Sequence, residues 1–241
     1  MTTLPTRKLE AWRYSDLAAL AEVWPAGVVS DAVTVAAGEA RTLVVASDAA
    51  PVAVRDLAVR LGAGARLDLR VLLAGHRYGR LAIDATLGEG ARLDVGGVII
   101  GKGEETLEIV STVNHAAPGA TSQQTLRIVV AGKATGTYLG KVAVARGADG
   151  TDARQSARAM LIDRTATANL KPELEILADD VKCAHGATVG ELDPMQQFYM
   201  AARGIAPAEA RRLLLAAFVA DALAGDAMME ARALAALEAM L

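Results

Sequence analysis

The chain has 241 residues, 53% of them hydrophobic and only 3% aromatic, with a formal net charge of -3. That is enough apolar material for a substantial core, while an acidic balance with few stacking side chains argues against a nucleic-acid surface. Apolar runs such as Leu213 to Ala220 fall far short of the roughly 20 residues of a membrane span. The first residues carry scattered charge and no apolar leader, so the chain is expected in the cytoplasm, away from the membrane.

In chain order, Arg7 to Trp24 places Leu9, Trp12, Leu17, Leu20 and Trp24 at mostly helical spacing. This predicts a short amphipathic helix, interrupted near Ser15 and Asp16, that ends before Pro25 and covers one end of the molecule. From Gly27 the pattern changes to short β-branched and leucine-rich runs separated by turn residues, among them Thr42 to Ala46, Arg66 to Leu73, Leu81 to Ala85, Leu107 to Val110 and Leu126 to Val130.

An internal echo organises this middle section. Gly62-Ala-Gly-Ala-Arg-Leu-Asp68 recurs as Gly88-Glu-Gly-Ala-Arg-Leu-Asp94, and Leu81/Ile83 recur as Leu107/Ile109, all 26 residues on; Thr106-Leu-Glu-Ile-Val110 returns as Thr125-Leu-Arg-Ile-Val129, 19 residues on. Such periods predict a parallel β-solenoid with glycine at the corners, of roughly seven coils at about 20 to 26 residues each. A β-sandwich is the rival, and a left-handed hexapeptide helix is disfavoured because no six-residue repeat is sustained.

After Gly190 the chain turns helical. Asp193-Pro194-Met195-Gln196 reads as a capping box opening a helix to about Arg203. Pro207 opens a second helix, with Leu215, Phe218, Val219 and Ala222 on one face, and Asp226 to Leu241 forms a third, with Leu234, Leu237 and Leu241 on one side. The expected organisation is a helical segment at 1–26, a β-helix core at 27–192 and a helical subdomain at 193–241. The helices need a surface, from the solenoid end or from a partner.

Chemistry concentrates in Pro172 to Gly190, which holds the only cysteine, Cys183, and one of three histidines, His185. A lone cysteine cannot close an intramolecular disulfide and fits a reducing compartment. Two residues apart on an extended run, thiol and imidazole project from one face and offer two soft metal ligands; Asp179 would join them as a third if the strand were unbroken. A buried, inert cysteine and a hydrogen-bonded structural histidine are the bland alternative. His76, and His115 in a loop-like run, are read as structural. Asp179-Asp180 is read as a solvated turn, and no phosphate-binding loop is present.

The run Ala178-Asp-Asp-Val-Lys-Cys-Ala-His-Gly-Ala-Thr-Val-Gly190, followed by Phe198-Tyr199 and Arg203-Gly204-Ile205, resembles the C-terminal signature of the SufD family of the SufBCD iron-sulfur cluster assembly complex. Asn114-His-Ala-Ala-Pro-Gly119, Thr151-Asp-Ala-Arg-Gln-Ser156, Pro172-Glu-Leu-Glu-Ile176 and Glu10-Ala-Trp-Arg-Tyr-Ser-Asp16 resemble the same family. The resemblance implies a right-handed parallel β-helix between helical ends. It implies a non-catalytic scaffold that pairs with a SufB-like paralogue through the β-helix and with a SufC-like ABC-type ATPase through the C-terminal helices. A nascent iron-sulfur cluster would form transiently at the SufB–SufD interface, with Cys183 and His185 as ligands shared with the partner and none tightly bound in the isolated chain. A homodimer of the isolated chain is the alternative pairing. The chain is shorter than usual members, in the N-terminal helical region and first coils. Two readings compete: a β-helix enzyme acting on polysaccharide, which would want clustered carboxylates in a groove and export, and a purely structural solenoid adaptor.

Overall fold

The computed structural model describes residues 3–46, 50–223 and 225–241. Two parallel sheets face each other. One holds, in spatial order, β1 (Val28–Val35), β3 (Val52–Leu61), β5 (Tyr78–Leu87), β7 (Thr106–His115), β9 (Thr135–Val144) and β11 (Thr167–Ile176). The other runs β12 (Val181–Gly190), β10 (Thr151–Leu161), β8 (Thr121–Val130), β6 (Arg92–Gly101), β4 (Arg66–Ala74) and β2 (Ala40–Ala46). Odd strands form one sheet and even strands the other, so the chain alternates between them and each return adds a coil: a parallel β-helix.

The Gly-x-Gly-Ala-Arg-Leu-Asp echo is a true register. Arg66, Leu67 and Asp68 pair with Arg92, Leu93 and Asp94. Its glycines do two different jobs. Gly64 and Gly90 adopt φ +65° and +60°, a left-handed corner open to glycine without strain. A Cβ on Gly62 would sit 2.7 Å from the Ala37 nitrogen of the preceding coil, and one on Gly88 2.9 Å from the Leu61 oxygen, so the corners stack only if those positions are bare.

The other echoes are not registers. Leu81 pairs with Ile109, and Leu107 with Gly79, while Thr106–Val110 and Thr125–Val129 lie in opposite sheets. Coils lengthen from 26 residues (Val28 to Val54) to 32 (Thr135 to Thr167). Six strands per sheet therefore replace the expected seven coils among the described residues, because the 19-residue echo repeats composition without repeating position.

Inside, Val59, Ala85, Val113 and Val142 stack in one row at 1% exposure or less. Both outer faces are also covered. On the odd-strand sheet, Val54 and Tyr78 lie under a 3-10 turn (Glu10–Trp12) and α1 (Leu17–Val23). Asp16 caps α1 by accepting from the Ala18 and Ala19 nitrogens at 3.1 and 3.0 Å. The expected interruption is this cap. The segment covers a flank, however, and not an end: it reaches β11, where Lys171 donates to Glu10 at 2.7 Å.

On the even-strand sheet, outward-facing Leu72, Val98, Ile100 and Val129 pack under α3 (Pro207–Leu223) and α4 (Ala227–Met240). α3 lies so close that a Cβ on Gly96 would overlap the Ala222 carbonyl oxygen. Arg127, 4% exposed, pairs with Asp221 of α3 and stands 5.7 Å from the Phe218 ring. The buried side of α4 is Met229, Ala233 and Leu237; of the expected stripe, Leu241 is 50% exposed. That side is selected by α3 and the sheet together, since Met229, Ala233 and Leu237 share one apolar cluster with Leu215, Val219 and Leu223 of α3 and with Val98 and Ile100 of the sheet. No helix of the described residues is long and apolar enough to cross a membrane.

Candidate functional site

Pro172 to Gly190 is two strands and not one. β11 ends at Ile176, the chain bends at Asp179 and Asp180, and β12 begins at Val181 in the opposite sheet. Asp179 is exposed in this connection, so alternation does not carry it onto the face of Cys183 and His185, and it is removed as a third ligand. The solvated-turn reading of the acidic pair holds: the Asp180 carbonyl accepts from the Gly150 nitrogen at 2.7 Å, stacking the corner.

Cys183 pairs with Ala153, and His185 with Gln155. Partners in a parallel ladder point to the same side, and Ala153 and Gln155 are buried inside the solenoid at 0% and 3% exposure. Cys183 and His185 therefore face the interior side of the last coil. Cys183 packs half-buried on Val142, Val144, Ala148 and Ala153, whereas His185 is exposed. β12 is the edge of its sheet and β11 the edge of the other, so the coil ends in two strands whose outer backbone groups face away from any ladder.

Burial pushes the Cys183 thiol up, the charge of Asp152 adds to this, and a hydrogen bond to the Ala153 backbone opposes it. In the lone chain this burial favours the thiol over the thiolate. No group of three or more His, Cys, Asp or Glu able to hold a metal occurs among the described residues. Two donors on an open edge leave a tetrahedral site half built.

The other histidines lie elsewhere. His76, 1% exposed, holds its Nδ1 2.6 Å from the Ala50 carbonyl. His115 is not in a loop: it is the last residue of β7, inside the solenoid, with Nε2 2.9 Å from Ser122 Oγ. Neither forms a hydrogen bond to Cys183 or His185 in the structure. Burial, only partly opposed by a bond to the Ala120 backbone, pushes His115 down to about 4. The unfolded chain takes up a proton near pH 6.5 and the folded chain only near pH 4, so stability falls as pH drops through that window, by roughly 3 kcal/mol. Urea unfolding at pH 7, 5.5 and 4 should show this slope, and His115→Gln should flatten it.

Sequence reasoning missed a buried polar cluster next to the site. Ser111 Oγ donates to Gln124 Oε1 at 2.8 Å, Tyr138 OH donates to the same oxygen at 3.1 Å, and Gln155 Nε2 donates to Tyr138 OH at 3.4 Å. The signal was available in Ser122 and Gln124, which alternate in step with inward Leu126 and Ile128.

α2 (Pro194–Ala202) is capped by Asp193, which accepts from the Met195 nitrogen at 2.8 Å. Gln197, and not the expected Gln196, reaches back, donating to the Leu192 carbonyl at 3.4 Å. None of its residues is fully buried; Met195, Phe198 and Tyr199 are 70%, 68% and 58% exposed.

A family model described as SUF system FeS cluster assembly, SufBD core domain, matches residues 26–218. The chain is 41% identical over 116 residues to Protein ABCI7, chloroplastic, of Arabidopsis thaliana, covering 48% of this chain and 24% of that protein. To the iron-sulfur cluster assembly protein SufD of Escherichia coli (strain K12) it is 36% identical over 117 residues, covering 48% and 28%. To that of Bacillus subtilis (strain 168) it is 31% identical over 121 residues, covering 50% and 28%. The matched stretches thus span about a quarter of the length of these relatives.

Proposed function

Because the chain belongs to the SufBD core family of iron-sulfur cluster assembly proteins, we propose that it is a non-catalytic scaffold subunit of a SufBCD-type complex. Its last coil pairs with a SufB-like paralogue, and its C-terminal helices carry a SufC-like ABC-type ATPase. The nascent cluster is cargo, held between chains while the ATPase drives rearrangement, and leaves the isolated chain without a tightly bound cluster. The cellular site is the cytoplasm, or an organelle compartment of equivalent reducing character.

The observation that carries this reading is the placement of Cys183 and His185 on the interior side of an edge strand. Thiolate and imidazole are donors suited to iron and iron-sulfur species. They are two where four are needed, and they stand beside backbone groups that a partner strand can extend. Two donors on an open sheet edge suit a site that a partner completes.

Co-purification from cell extract tests the assembly: a SufB-like chain and an ABC-type ATPase are the expected partners, and a homodimer alone would overturn it. In the reconstituted complex, His185→Ala should lower cluster yield about tenfold or more. Co-purification of the variant, followed separately, distinguishes a lost ligand from a lost contact at the interface, since His185 lies on the coil that the partner covers. Normal assembly with unchanged yield would remove His185 from the mechanism.

A further inference from the structure

His185, Gln155 and Gln124 stand in one inward column on β12, β10 and β8. The orientation of the middle carboxamide is determined by its neighbours. Gln124 Oε1 accepts from both Ser111 Oγ and Tyr138 OH, and Ser111 Oγ itself stands 3.1 Å from Tyr138 OH, so in this arrangement the Tyr138 proton points to the Ser111–Gln124 side. The phenol oxygen then accepts from Gln155 Nε2 at 3.4 Å. Gln155 Oε1 is left as an acceptor, buried in a residue only 3% exposed and without a partner.

An unpaired buried acceptor costs about 1–3 kcal/mol, and few groups in reach can satisfy this one. On its own strand the inward neighbours are Ala153 and Ala157. On β12 they are Cys183, His185 and Ala187. Across the coil, β11 turns Leu170 and Leu174 inward, with Pro172 between them at the same alternation. On β8 the facing residue is Gln124, whose Nε2 is likewise buried without a partner and makes no bond to Gln155 in the structure; on the open side only His185 carries a strong N–H donor, one strand spacing of about 4.8 Å away. It has no recorded bond to Gln155 in the lone chain, where its imidazole is exposed to water.

We infer that Gln155 is the positioning residue for His185: when a partner covers the last coil, the imidazole donates one ring N–H to Gln155 Oε1, and the other nitrogen is presented, unprotonated, to the interface. This rests on the reading of His185 as a shared ligand. A ligating histidine is held in one tautomer by the acceptor on its far nitrogen, and loss of such an acceptor commonly weakens metal binding 10- to 100-fold. Tyr138, Ser111 and Gln124 are the rigid backing that keeps the acceptor aimed outward.

The test uses the assembled complex with its SufB-like partner. Gln155→Met matches the side chain in length and removes the acceptor, and Gln155→Glu keeps it. In metal-free complex, 15N spectra of histidine-labelled chain should show one fixed His185 tautomer in the parent and in Gln155→Glu, and averaged ring shifts in Gln155→Met. Iron(II) titration of the same complexes should show affinity about tenfold or more lower for Gln155→Met. Unchanged ring shifts in Gln155→Met would overturn the inference, as would an averaged tautomer in the parent complex. If His185→Ala leaves iron(II) affinity intact, the shared-ligand reading fails, while the ring shifts still decide the hydrogen bond by themselves. Were Gln155→Met unable to assemble, the parent spectrum alone would decide.

Discussion

Arg80→Met should destabilise the fold by about 3–5 kcal/mol, a large part of the 5–15 kcal/mol total of a typical domain. Arg80 and Glu108 are register partners on β5 and β7, facing out of the sheet and buried under the N-terminal segment at 3% and 0% exposure. Arg80 Nη1 lies 3.4 Å from Glu108 Oε2, Ser15 Oγ donates to the same oxygen at 3.0 Å, and the guanidinium carbon stands 3.8 Å from the Trp12 ring centroid. Burial pushes the Glu108 carboxyl up, and Arg80 is the main group holding it down.

Without Arg80 the carboxylate would be a buried charge left to the Ser15 and Tyr78 hydroxyls. It would be relieved only by protonation, so the loss should grow as pH rises through the ordinary carboxylate range and shrink towards pH 4. Denaturant unfolding of Arg80→Met, Glu108→Gln and the double variant would measure it. Both single losses should exceed the double in proportion, since removing the pair leaves no orphaned charge. Equal, additive losses at all pH values would show that the pair is not coupled.

In the proposed complex, Phe198→Asp should weaken capture of the ATPase roughly 30-fold or more while leaving the chain folded. α2 packs mainly along α3 and holds Met195, Phe198 and Tyr199 outward, with Arg203 placed 4.5 Å from the Tyr199 ring. Aromatic anchors of this kind are worth about 2 kcal/mol or more in an interface, roughly 30-fold in affinity. At 68% exposure Phe198 contributes little to the fold itself, so thermal unfolding should be unchanged. Removing Pro207 to Leu241 is a poorer experiment. It would uncover Leu72, Val98, Ile100 and Val129, and the resulting aggregation would mimic lost docking. Retained capture by folded Phe198→Asp would move the ATPase contact away from α2.

Parallel coils were legible because a solenoid repeats its contacts locally. Arg66-Leu67-Asp68 meets the same residue types one coil on, and the bare first glycine and left-handed second glycine of each corner are dictated by close stacking and backbone sign. Coil number was not legible, since later coils lengthen and a drifting period leaves no fixed echo. Cys183 and His185 were legible as a pair, because two residues on any strand share a face. Asp179 was not, because whether the chain bends between Leu177 and Asp180 depends on the corner it must stack upon at Gly150.

By itself, then, the sequence determined what short-range alternation and corner chemistry control: strands, corners, helix caps and the shared direction of the thiol and imidazole. Tertiary structure alone decided which surfaces those elements meet. Outward rows such as Leu72, Val98 and Ile100 are apolar whether a helix or a partner covers them, and only the fold lays α3 and α4 there. Likewise only stacking of coils with unequal lengths brings Gln124, Gln155 and His185 into one column, because each such step is set by the register of a whole coil and not by spacing along the chain.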